Sequence, residues 1–140
     1  MSIVGIDYGS KRIGVAVSES LLLATPHCVI RNEGDAVAKV AQVGRELGVE
    51  RYVVGIARRP RSSAGERRFR DFANALRQQS CKEVVLWDET LTSVEAADLL
   101  RDAGVARREA EREIDMHAAA VILQRYLDAQ HPDGQGRRPS

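Results

Sequence analysis

Four acidic residues interrupt apolar stretches at places where a functional site can form. Asp7 ends the first apolar strand, in GIDYGSKRIGVAV from Gly5 to Val17. Asp88 and Glu89 directly follow the apolar stretch EVVLW, and Asp115 opens the last helical pattern. A carboxylate that is buried without a partner is costly, so each of these needs a hydrogen-bond donor, a cation or a metal.

These acids predict a divalent-metal site if the fold brings them together. Clustered carboxylates repel one another unless a cation lies between them. Hard oxygen ligands without a matching Cys or His set are what Mg²⁺ or Mn²⁺ prefers. Two such ions about 4 Å apart would activate a water and steady a leaving oxygen, which is the chemistry of phosphodiester hydrolysis. The candidate ligands are Asp7, Asp88, Glu89 and Asp115.

A basic segment predicts an anionic partner. The formal net charge of the chain is only +1, yet six arginines fall between Arg58 and Arg70. Such a local excess of positive charge favours a polyanion, and here it would hold a nucleic-acid backbone beside the metals. The candidate phosphate-binding residues in this segment are Arg58, Arg59, Arg61, Arg67 and Arg68.

Each feature also has a plain structural interpretation. Asp115 can cap a helix N-terminus, and Asp7 or Asp88 can cap a turn. Glu89 can be a solvated loop residue, and the arginines can form a solvated face. The nuclease hypothesis depends on the joint occurrence of these features.

The apolar periodicity places the acids at the ends of elements. Two strands flank the turn at Gly9, and a third covers Pro26–Ile30. A helix from Ala36 to Leu47 ends at Gly48, which suits a C-terminal cap. The remaining predicted elements are a strand Arg51–Ile56 covered on both faces, a helix Gly65–Gln79, a buried strand Glu83–Trp87, a helix from Thr92 to near Gly104, a charged connector Val105–Glu113 and a helix from Ile114 onward.

This order predicts an α/β fold with a mixed central sheet, whose first three strands are antiparallel, and with helices on both faces. At 140 residues, the chain is expected to form one domain over residues 1–130, with a disordered tail rich in Pro, Gly and Arg over residues 131–140. No stretch has the apolar length of a membrane span or a signal core, so a cytoplasmic protein is expected, and Cys28 and Cys81 are interpreted as reduced thiols.

Four stretches of the sequence resemble the YqgF/RuvX family, described as pre-16S rRNA nucleases and as RuvC-like Holliday junction resolvases. They are GIDYGSKRIGVAVSE at the N-terminus, VVGI at Val53–Ile56, DETLTSVEA at Asp88–Ala96 and IDMHAAAVILQRYL at Ile114–Leu127. The resemblance implies an RNase H-like fold, a metal-dependent nuclease, and the family's acids at Asp7, Glu89 or Asp88, and Asp115. It also implies that Gly9 makes a tight turn while Lys11 and Arg12 stay near a phosphate.

The sequence leaves the substrate and the assembly open. After VVGI the family usually continues with a Leu-Pro or similar pair and a polar loop, whereas this chain has Ala57-Arg58-Arg59-Pro60-Arg61. Processing of the 5′ end of pre-16S rRNA is the first hypothesis. The alternatives are Holliday junction resolution, a non-catalytic module that binds structured RNA, and an ATP-binding role. The last follows from the turn Asp7-Tyr8-Gly9, which resembles the DxG turn of the phosphate-binding hairpin in actin-like and sugar-kinase ATPases. Either a monomer or a homodimer is compatible with these functions.

Overall fold

The computed structural model describes residues 2–56, 62–87 and 110–130, with the side chains of the last range described from Asp115 onward. In chain order the elements are β1 Ser2–Tyr8, β2 Arg12–Ser18, β3 Thr25–Arg31, α1 Ala36–Glu46, β4 Val49–Gly55, α2 Ser63–Ser80, β5 Glu83–Trp87 and α3 Ala110–Ala129.

The described strands form one five-stranded sheet in the order β3-β2-β1-β4-β5. Strand β1 pairs antiparallel with β2, and β2 pairs antiparallel with β3. The pairs β1–β4 and β4–β5 are parallel. The prediction of a mixed sheet with three antiparallel strands at its start is confirmed.

Helices cover both faces of the sheet, as the sequence predicts. Successive residues of a strand point to opposite faces, so each strand contributes to two cores. Helices α1 and α2 pack on one face, where the buried side chains include Val4, Ile6, Val15, Tyr52, Val54, Phe69, Phe72 and Leu76. Helix α3 packs on the other face, where they include Ile3, Ala16, Val53, Ala119, Ile122 and Leu123. Each fully buried aliphatic or aromatic side chain contributes about 1.5–3 kcal/mol to stability.

Local sequence explains where α1 and α2 begin and end. The Asp35 carboxylate accepts a hydrogen bond from the Ala38 N–H at 3.1 Å, and the Ser62 hydroxyl accepts one from the Gly65 N–H at 3.0 Å. Both are N-cap contacts of the kind that satisfies an otherwise unpaired first-turn donor. After α1, Gly48 adopts a φ of 66°, which confirms its predicted role at the C-terminus of that helix.

The start of α3 corrects the sequence analysis. The helix begins at Ala110, so residues 110–113 belong to it and not to a charged connector. Ala, Glu and Arg are strong helix formers, and a highly charged stretch of these residues continues a helix readily. Asp115 therefore lies in the second turn. It does not open the helix, and its interpretation as an N-cap is wrong.

Strand β5 also differs from its prediction. It occupies Glu83–Trp87 as expected, but within the described sheet it is an edge strand, and only Val84 is fully buried. A stretch of β-branched apolar residues has the same sequence pattern in a central strand as in an edge strand that packs through one face only.

Several predicted features lie outside the described residues. They are Asp88, Glu89, Arg58, Arg59, Arg61, the helix from Thr92 to Gly104 and the tail 131–140. Within the described ranges, no helix combines the length and apolarity needed to cross a membrane. Cys28 and Cys81 are both free thiols.

Candidate active site

Asp7 is a buried carboxylate near the C-terminal end of β1. It is only 6% exposed, and it lies two residues beyond Gly5 on the face that α3 covers. Its partners in the sheet are Gly14 on β2 and Gly55 on β4. Because both neighbours lack a Cβ, α3 packs closely on the sheet beside Asp7, against a shallow cradle formed by Gly14 and Gly55 at the C-terminal end of β1.

Gly14 explains how Asp115 reaches this cradle. A Cβ built at Gly14 would overlap the backbone carbonyl oxygen of Asp115, so only glycine permits α3 to approach β2 this closely. Since Gly14 is the sheet partner of Asp7, the Asp115 backbone lies over the strand next to Asp7, although the two residues stand at opposite ends of the chain. Farther along the same side of α3, Ala119 and Ile122 are 0% and 1% exposed, which confirms the predicted inward orientation of this helical stripe.

Arg12 forms an ion pair with Asp115 across the site. The Arg12 Nε–H donates a hydrogen bond to Asp115 Oδ2 at 2.8 Å, and the two side chains are 28% and 19% exposed. Arg12 precedes Gly14 by two residues on β2, and so it lies on the same face of the sheet. The sequence analysis assigned Arg12 to a phosphate, whereas the structure gives it a carboxylate partner.

The turn between β1 and β2 is held by a residue that the sequence analysis missed. Asn32 Nδ2 donates to the Gly9 carbonyl oxygen at 2.8 Å, and the Asn32 backbone N–H donates to the Lys11 carbonyl oxygen at 2.9 Å. A Cβ at Gly9 would lie 2.5 Å from the Arg12 carbonyl oxygen, in agreement with the tight turn implied by the resemblance. The Lys11 side chain is exposed at this turn.

The chemistry of Asp7 and Asp115 fits a hard divalent cation. Both donors are carboxylate oxygens, which are the ligands that such a cation prefers. No group of three or more potential ligands of the His, Cys, Asp or Glu type occurs within residues 2–56, 62–87 and 110–130. The candidate third ligand, Glu89 or Asp88, belongs to the stretch outside those ranges.

The arginines of α2 are not brought to the carboxylates. Arg67 and Arg68 are exposed on a helix that packs on the face opposite to α3. Helix α2 follows the C-terminal end of β4, where Gly55 pairs with Asp7, so its beginning lies toward the same edge of the sheet. A long polyanion that crosses this edge could contact both faces.

Part of this site was available from the sequence. Counting back from the Gly9 turn in a two-stranded hairpin pairs Asp7 with Gly14. Gly14 is the position at which α3 comes close to β2. The Arg12–Asp115 pair had no such signal, because it joins residues that are 103 positions apart.

The sheet topology, with Asp7 buried at the end of its central strand, is that of an RNase H-like α/β fold. Solved structures with this fold include Thermus thermophilus RuvC in complex with a Holliday junction substrate, at a TM-score of 0.56 and 18% identity over 98% of each chain. The Fowlpox virus resolvase, solved with Holliday junction DNA, has a TM-score of 0.59 at 10% identity over 93% of this chain and 99% of that chain. At these identities the likeness establishes the fold.

The family follows from closer sequence matches. Residues 1–129 match the family model described as "RuvX: Holliday junction resolvase". A protein of Symbiobacterium thermophilum is 41% identical over 92% of this chain and 93% of its own length, and one of Pelotomaculum thermopropionicum is 39% identical over 99% and 92%. Both carry the curated name "Putative pre-16S rRNA nuclease". The chain therefore belongs to the RuvX family.

Proposed function

We propose that this chain is a divalent-metal-dependent endonuclease that hydrolyses phosphodiester bonds in nucleic acid, with processing of the 5′ end of pre-16S rRNA in the cytoplasm as its activity. The observation that carries the proposal is the buried Asp7 in a glycine cradle over which α3 places Asp115. The family and the curated names of relatives at 39–41% identity support both the reaction and the substrate.

The residues have separate roles in this proposal. Asp7 and Asp115, with Glu89 or Asp88, would hold one or two Mg²⁺ or Mn²⁺ ions. When bound, such ions lower the pKa of an attacking water and stabilise charge on the leaving oxygen. Burial of Asp7 keeps one ligand rigid, and the contact between Gly14 and the Asp115 backbone fixes the height of the other above the sheet.

Nucleic-acid binding is assigned to the basic residues that flank this edge. Lys11 is exposed on the turn beside Asp7, and Arg67 and Arg68 are exposed on α2. From the sequence we add Arg58, Arg59 and Arg61. Neutralising these last three should reduce the dependence of nucleic-acid affinity on salt concentration, because each phosphate contact releases counterions. An unchanged slope would contradict their role.

Holliday junction resolution is the second candidate function. The description of the family model and the junction-bound structures with the same fold favour it. Resolution of a four-way junction calls for two active sites related by two-fold symmetry, so this candidate requires a dimer, whereas a single RNA cut does not.

The substrate test uses three labelled nucleic acids. They are a ribosomal RNA precursor that retains its leader, a plain single-stranded RNA and a four-way DNA junction, each incubated with Mg²⁺, Mn²⁺ or chelator. Metal-dependent cleavage at the leader boundary supports rRNA processing, and paired symmetric cuts in the junction support resolution. Binding to all three without cleavage in any would contradict the nuclease and favour a binding module.

A further inference from the structure

Arg12 and Asp115 form an ion pair inside the candidate active site, with a 2.8 Å contact between Nε and Oδ2. We propose that Arg12 is a positioning residue that serves as the counter-ion of Asp115 before a metal binds, and that Arg12 must give up this carboxylate when a divalent cation is taken up. The inference rests on the proposed function, because it assumes that Asp7 and Asp115 share a metal site.

The surroundings of the pair give it this role. Asp7 is 6% exposed and lies on the same face of the sheet, where its partner Gly14 meets the Asp115 backbone, so two acidic residues occupy a mostly buried part of the sheet. Like charges in such a site raise the free energy of the folded protein unless a cation offsets them. The Arg12 guanidinium supplies that positive charge, and its Nε–H fixes the direction of the Asp115 carboxylate.

The same contact opposes metal binding. The guanidinium engages Oδ2, an oxygen that a metal would use, and its positive charge repels an incoming cation. Removing Arg12 removes both obstacles. Gly14, which gives the α3 backbone room to approach β2, is unchanged in such a variant. Asp115 is also a short side chain that loses little rotational freedom on binding. Without Arg12, the metal affinity therefore gains more from the missing positive charge than it loses from a less firmly oriented Asp115 carboxylate.

The test compares Arg12→Gln with a matched control elsewhere in the sheet. Arg51 Nε donates to Glu83 Oε1 at 2.7 Å, so this pair has the same donor atom and a similar contact distance. It lies at the other end of the strands, where Arg51 pairs with Ile3. The control variant is therefore Arg51→Gln. Melting temperatures in chelator and Mn²⁺ dissociation constants from calorimetry are measured for both variants and for the wild type.

In chelator, Arg12→Gln should lower the melting temperature by about 3–8 °C, since it removes the guanidinium that pairs with the Asp115 carboxylate. The same substitution in an Asp115→Asn background should have little effect, because the charge that Arg12 offsets is then absent. Arg12→Gln should bind Mn²⁺ about three- to tenfold more tightly than the wild type, the order expected when one unit charge leaves a partly solvated site. Arg51→Gln should leave the Mn²⁺ affinity unchanged.

Arg12→Lys distinguishes the effect of the positive charge at residue 12 from that of the guanidinium contact with Asp115. It also gives a second variant if Arg12→Gln fails to fold. It keeps the positive charge, so its Mn²⁺ affinity should stay near that of the wild type. Unchanged or weaker Mn²⁺ binding by Arg12→Gln would overturn the inference, as would equal losses of melting temperature in the two Asp115 backgrounds. A wild-type protein that binds no Mn²⁺ would instead overturn the proposed function, and the inference with it, before any variant is compared.

Discussion

Substituting Gly14 by alanine should separate folding from activity at the site. Ordinary contacts of a Cβ atom begin at 3.4 Å, and a Cβ at Gly14 would overlap the Asp115 carbonyl oxygen. The obstacle is helix backbone, so α3 must move away from β2 by more than about 1 Å at this point. Asp115 would move with it, away from Asp7.

The expected cost follows from this displacement. Overpacking of this kind destabilises by about 1–3 kcal/mol, which for a chain of this length lowers the melting temperature by about 4–12 °C. A shift of about 1 Å in a catalytic group reduces the rate about a hundredfold. Gly14→Ala should therefore stay folded at 25 °C while it loses most of its metal-dependent cleavage and its stabilisation by Mn²⁺.

Gly5→Ala provides the matched control for this prediction. Gly5 lies on the same face of the sheet and under the same helix, and a Cβ there would meet the Leu123 Cβ at 2.6 Å. That clash falls in the middle of α3, away from Asp115. Gly5→Ala should lower the melting temperature but retain far more activity than Gly14→Ala. The reasoning is refuted if Gly14→Ala cleaves like the wild type, or if both variants lose activity only in proportion to stability.

Three further predictions concern single residues. Asp7→Asn should leave the melting temperature in chelator unchanged or raise it, because it removes one negative charge from the candidate site. It should also abolish the stabilisation of the protein by Mg²⁺. Marked destabilisation without metal would mean that Asp7 is a structural cap. Tyr52→Phe should raise the free energy of unfolding by about 1 kcal/mol in urea titrations, since this 0% exposed hydroxyl has no hydrogen-bond partner among the described residues. Burial also raises the pKa of Tyr52 above its ordinary value of 10.0, so the wild type should lose stability as pH rises above that value. The stability that Tyr52→Phe gains over the wild type should therefore grow with pH. A stability gain that shrinks at high pH would contradict this. Asn32→Ala should loosen the Gly9–Lys11 turn and speed amide hydrogen exchange there, and unchanged exchange would show that the turn holds without it.

Periodicity predicted those elements whose apolar residues repeat clearly. The helix predicted over Gly65–Gln79 lies within α2, whose buried side carries Phe69, Phe72 and Leu76, and the two strands predicted to flank Gly9 are β1 and β2. The start of α3 could not be predicted from periodicity, because residues 110–113 are Ala, Glu, Arg and Glu and contain no apolar repeat. Propensity was the useful signal there, and it indicated a helix.

The candidate site was predictable in its acids but not in its geometry. Asp7 was identified from its position at the end of an apolar strand, and it is buried there. Asp115 was identified as the residue that opens the last helix, but it lies in the second turn of α3, where its backbone meets Gly14. Which residue neutralises Asp115 depends on how far α3 descends over β2. That distance is set by the absence of a side chain at Gly14, and the sequence shows it only once the hairpin register is known.

We propose that Asp7 and Asp115 share a divalent cation. A crystal structure with Mn²⁺ is the direct test. Anomalous scattering locates the ion independently of any assumption about ligands. We predict a peak in contact with carboxylate oxygens of both residues, lost in Asp7→Asn, with the Arg12 guanidinium moved off Asp115 Oδ2. Well-diffracting crystals with no peak at these carboxylates at millimolar Mn²⁺, or with the ion bound elsewhere on the protein, would contradict the account.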